Sequence, residues 1–115
     1  MFFEETEWCY RARQAGWQIV YQPAVGITHL GEHSVNQNPV HSLPQFYRSF
    51  CRFYRKHASA GPARLSLLKS IFAVAALVRV ALWRARRLVR SGAAAQQARA
   101  MEAGYRQVLR ELPGF

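Results

Sequence analysis

Three of the six acidic residues in this 115-residue chain fall within four positions, in the run Glu4-Glu5-Thr6-Glu7-Trp8-Cys9-Tyr10-Arg11. Two further clusters follow, Ala15-Gly16-Trp17 and His29-Leu30-Gly31-Glu32-His33-Ser34. A carboxylate crowded by other carboxylates holds its proton more tightly, which suits a general base. Acids at a helix start also complement the positive end of the helix dipole, with no catalytic role. A lone histidine is most often a packed or hydrogen-bonded structural residue. The two tryptophans, Trp8 and Trp17, read as core, with stacking on a sugar ring as the functional alternative.

The elements that position these groups follow from periodicity. Trp8, Ala12 and Ala15 share one face of a short helix over Glu5–Ala15, and Gly16 is suited to end it. Trp17–Tyr21 alternates as a strand does, Pro23 closes it, and Val25–Thr28 reads as a second short strand. His29–Pro44, rich in Gly, Asn, Ser and Pro, reads as loop. Leu43–His57 returns to a helical pattern, with Phe46, Phe50, Phe53 and Tyr54 on one side and Arg48, Arg52, Arg55 and Lys56 on the other. After the Gly61-Pro62 break, a long helix is expected over Ala63–Arg90. Leu67, Ile71, Val74, Leu77, Val78, Leu88 and Val89 cluster on one arc of it. A weaker helix follows from Ala93 to Leu112.

The run FFEETEWCYRARQAGWQIVYQPAVGITHLGEHS, from Phe2 to Ser34, resembles the C-terminal part of the catalytic domain of family 2 glycosyltransferases. Within that family it is most similar to the bacterial rhamnosyltransferase-like branch that builds cell-surface polysaccharides. The helix FYRSFCRFYRKH, Phe46–His57, is similar to the one that often comes next. The resemblance implies an α/β fold: the C-terminal portion of a GT-A nucleotide-sugar transferase domain over residues 1–61, followed by basic amphipathic helices over residues 62–115. It implies an inverting, metal-dependent transfer of a sugar, with rhamnose as the candidate, from a nucleotide diphosphate donor to a cell-surface polysaccharide or lipid-linked acceptor. By motif position Glu5 is the catalytic base, with Glu4 beside it as the other candidate. Glu7, Trp8 and Arg11 support the helix or the acceptor. His29 matches the residue that holds Mg²⁺ or Mn²⁺ or the donor diphosphate, and Gly31 and Ser34 approach phosphate oxygens. Glu32 departs from the pattern, which commonly has a second glycine there. The chain contains no aspartate, so it holds no DxD metal motif. The nucleotide-binding half is therefore expected outside it, and the isolated chain is expected to be inactive.

The charge is strongly asymmetric. The chain carries 16 Lys and Arg against 6 acids, a formal +10, and eleven of the cations lie between Arg48 and Arg90. The long helix is expected either to pack on a partner domain or to lie on an anionic membrane, with Arg64, Lys69, Arg79, Arg86 and Arg90 meeting the headgroups. On the second reading the protein is cytoplasmic and peripheral at the inner face of the cytoplasmic membrane. It is alternatively a non-enzymatic basic module for a membrane surface or a protein partner. Lys69 and Arg79 bound an apolar run of nine residues, Ser70–Val78, too short to span a bilayer. Nucleic acid is the disfavoured partner, because no recognition signature is present and an apolar arc has no use on a duplex. Two isolated cysteines, Cys9 and Cys51, point to a reducing setting rather than a disulfide scaffold.

Overall fold

A computed structural model describes residues 2–28, 33–58 and 61–115, and these form helices and connecting chain. Helix α1 spans Glu4–Gln14, with three acids in its first turn and Arg11 and Arg13 in its last, both complementing the dipole. It stops at Gly16, whose φ of 87° is a left-handed conformation that costs glycine little. Helix α2, His33–Gln37, is a single short turn. Helix α3, Pro39–His57, starts at the Asn38 cap, whose side chain accepts from the His41 backbone N–H. Helix α4, Pro62–Val89, has proline in its first turn, where the missing N–H is not needed. Helix α5, Gly92–Glu111, follows almost at once and ends in a 3₁₀ turn over Leu112–Gly114.

The core forms around one face of α5. Met101, Tyr105 and Val108 are buried against Leu43 of α3 and Ala76 of α4, with Val80, Trp83 and Tyr47 closing the edges. Helices α4 and α5 run antiparallel, as two polar contacts show. Arg87 near the end of α4 pairs with Glu102, and Lys69 near its start donates to the Pro113 carbonyl at 2.9 Å. Glu102 is buried but held from two sides, with Arg106 at 2.9 Å and Arg87 at 3.2 Å. Arg48 of α3 pairs with Glu111 at the far end of α5.

The expected α/β GT-A class is overturned: the described residues are all-α, without a strand or sheet. Trp17–Thr28 has the residues of strands but lies as irregular, exposed chain with a turn at Pro23–Ala24, Val20 being 76% and Ile27 88% exposed. A strand exists only through ladder hydrogen bonds to a neighbouring strand, and no described segment pairs with this one in that way. The expected loop over His29–Pro44 is corrected as well. From His33 to Pro44 the described chain is helical except at Asn38, and Pro39 and Pro44 lie inside α3.

Helices α3 and α5 meet at Gly104. A Cβ there would lie 2.6 Å from the Pro39 carbonyl oxygen and 2.9 Å from Leu43 Cδ1. Alanine would raise helix propensity by about 1 kcal/mol. Overpacking against a backbone carbonyl that cannot rotate away costs about 1–3 kcal/mol. The clash wins, so Gly104→Ala is expected to lower Tm by about 5–10 °C in a circular-dichroism melt. An unchanged or higher Tm would show that the helices do not approach this closely.

Candidate functional site

The candidate carboxylates sit where α1 begins, and aromatic packing sets that position. Phe2 and Phe3 both have left-handed backbone, with φ of 73° and 69°. This conformation costs a non-glycine residue on the order of 1–3 kcal/mol and persists only where surrounding contacts hold it. Here the holding contacts are rings on α3. Phe2 stacks edge-on against Phe46 at 5.7 Å, and Phe3 lies 5.5 Å from Phe46, 5.1 Å from Phe50 and 5.8 Å from Phe53. The first turn of α1 is thereby fixed against the middle of α3, with Glu4 and Glu5 exposed.

One turn farther on, Glu7 faces the end of α3. Its Oε2 accepts from Arg11 Nε at 2.9 Å, and its Oε1 accepts from Lys56 Nζ and lies 3.3 Å from His57 Nε2. The Lys56 hydrogen bond, reinforced by Arg11, holds the Glu7 carboxyl down at about 2. Tyr10 adds a ring contact to His57 at 4.4 Å. Glu7 and Arg11, expected to support the helix or the acceptor, thus tie α1 to α3 and to itself. An open groove of about 430 Å³ runs between the two helices, lined by Phe3, Glu4, Glu7, Arg11, Arg52 and Lys56.

The two tryptophans are not in the core. Trp8 is 66% exposed and Trp17 73%, and together with Ala12 and Ile19 they line a hollow of about 670 Å³. The core forms around α5 instead, and α1 contributes no buried residue to it. Of the other expected residues, His29 and Gly31, with the neighbouring Glu32, lie outside the described residues. Ser34 falls within α2 rather than in a loop. Among the described residues no group of three His, Cys, Asp or Glu side chains could hold a metal. Glu7 is committed to its cations, and the remaining pair, Glu4 and Glu5, does not make a ligand set. Cys51 is buried, which pushes its thiol pKa up and disfavours the nucleophilic thiolate.

Sequence reasoning missed Phe2, Phe3, Lys56 and His57 as parts of this region. Lys56 and His57 stand about fifty positions from Glu7, so no local spacing connects them. The usable signal was the placing of Arg52 and Lys56 on one side of the aromatic helix. The basic residues of α4 are also only partly available. Arg79 lies over the Tyr105 ring at 5.9 Å, Arg86 over Trp83 at 4.6 Å, and Lys69 is bound to Pro113, while Arg64 and Arg90 are exposed.

The Glu7 cluster has a defined pH window. Its carboxylate is depressed, so its contribution is complete above the ordinary carboxylate value of about 4.3 and is lost as pH falls through about 2. A carboxyl ¹³C titration is expected to place the Glu7 midpoint near 2, and Lys56→Ala is expected to move it back toward 4. A wild-type midpoint near 4 would mean that the tie to α3 is not formed.

Comparison of the chain with protein-family models, with characterised proteins and with solved structures finds no match in any of the three.

Proposed function

We propose that this chain supplies the acceptor-activating carboxylates of an inverting glycosyltransferase, within a larger enzyme that binds the nucleotide diphosphate sugar elsewhere. The observation that carries the reading is the division of labour among the acids of α1. Glu7 is neutralised by Lys56 and Arg11, whereas Glu5 projects into solvent from the first turn beside Glu4. In this chemistry the carboxylate takes the proton of an acceptor hydroxyl. The hydroxyl oxygen bonds to the anomeric carbon from the face opposite the diphosphate, the bond from that carbon to the diphosphate oxygen breaks, and the nucleoside diphosphate leaves with the electron pair. The groove beside Glu4, with aromatic walls and the cations Arg11, Arg52 and Lys56, suits an acceptor that combines sugar rings with phosphate, as a lipid-linked glycan does. No step is assigned to a metal.

A second reading has its own support. A basic module that only docks on a membrane or protein needs no exposed carboxylate pair, but it does need an uncovered apolar face. Helix α4 has one: Ala76 is its single buried residue.

The two readings separate in an assay of nucleoside diphosphate release. The isolated 115 residues are expected to release none. In an enzyme that joins this sequence to a nucleotide-binding segment, Glu5→Gln is expected to lower kcat by about 10²–10⁴-fold with donor KM unchanged. Unchanged kcat in both Glu5→Gln and Glu4→Gln would remove the catalytic reading.

A further inference from the structure

The 28 residues of α4 span about 42 Å. The charges Lys69 and Arg79 do not interrupt the helix, so the nine-residue limit read from sequence is corrected: by length and composition α4 could cross a membrane. Its neighbours decide otherwise. Phe72 and Ala76 turn toward α3 and α5, Phe72 meeting Tyr47 and Phe50 and Ala76 joining the core, and Val80 and Trp83 pack along the same side. On the opposite side Leu67, Ile71, Val74, Val78 and Leu82 recur at spacings of three and four and are each more than half exposed. The usual amphipathic arrangement is inverted, because the larger apolar face points away from the protein.

Charge identifies what covers that face. No acidic residue occurs between Glu32 and Glu102, while α4 and the residue after it carry seven cations. Arg84 borders the apolar stripe on one side of the helix and Arg79 and Arg86 border it on the other, as the 100° step per residue places them. An apolar stripe edged by arginines matches an anionic bilayer surface, with acyl chains below and phosphates at the margins.

We propose that α4 docks in the plane of an anionic membrane, its Leu67–Ile71–Val74–Val78–Leu82 face in the headgroup and acyl boundary, with α3 and α5 on the aqueous side. Spanning is disfavoured by what α5 brings with it. That helix lies along α4 and carries Arg99, Glu102, Arg106, Arg110 and Glu111. Each charge at the bilayer centre costs about 2.5–3.5 kcal/mol on insertion scales, and stripping α5 away would expose the core. This inference stands independently of sugar transfer.

The full chain is tested by flotation with vesicles of phosphatidylcholine alone or with about 30% phosphatidylglycerol, whose headgroups make the surface anionic. It is expected to float with the anionic vesicles. A Val74→Asp/Val78→Asp variant, altered only at exposed positions, is expected to keep its helical melt and lose at least about tenfold in partitioning. Ala63→Cys and Ser91→Cys are then exposed to an impermeant maleimide outside sealed vesicles, with labelled peptides resolved by mass spectrometry. In-plane docking labels both positions; labelling of one alone means that α4 spans and overturns the proposal. Flotation unaffected by the aspartates, or abolished by excess DNA, would also overturn it. So would failure to float combined with a dimer that the aspartates dissociate, which would identify a second copy as the occupant.

Discussion

The burial of one face of α5 between α3 and α4 is the constraint on which the other features rest. Met101, Tyr105 and Val108 are buried along that face, and they reach both neighbours at once because Gly104 lets the Pro39 backbone come close. Helix α4 meets this face with Ala76, a small side chain that permits short interaxial distance. The cost of that choice is visible on the other side of α4, where the large aliphatic residues have nothing within the chain to bury them.

Helix α1 is attached by different physics. It contributes no buried residue, and its hold on α3 comes from ring contacts of Phe2, Phe3 and Tyr10 together with the Glu7 ion pairs. Exposed ion pairs are individually weak and are screened by salt, whereas aromatic contacts are not. The rings therefore set where the carboxylates stand, and the charges set the rotation of the helix about its axis. Strained backbone at Phe2 and Phe3 is tolerated because their rings are anchored on α3.

Local periodicity was enough to read α1, the aromatic half of α3, α4 and α5, since a helix satisfies its own backbone and needs only an amphipathic face. The strands expected at Trp17–Tyr21 and Val25–Thr28 were not legible in the same sense: alternation shows that a segment suits a sheet, but pairing is supplied from elsewhere. Pro39 and Pro44 were read as loop residues; proline is well tolerated at a helix start, where Pro39 stands beside the Asn38 cap, whereas Pro44 lies inside the helix against proline's usual preference. The arc on α4 was legible as an arc, but its direction was not. Composition favours burying Leu and Val, while close packing against α5 selects the side with Ala76. For the candidate site, the acidic run itself was visible, and its partners on α3 were not, because only the fold brings positions about fifty residues apart into contact.

The exposed stretch from Trp17 to Thr28 has a consequence for the integrity of the molecule. Irregular, uncovered chain is where proteases cut most readily, and Trp17, Val20 and Tyr21 are exposed there. Cleavage there would sever the covalent link between α1 and the three long helices without touching either the Phe3 ring cluster or the Glu7 pairs. After such a cut the α1 peptide would be held only by those ring contacts, which salt does not screen, and by the exposed Glu7 pairs, which it does.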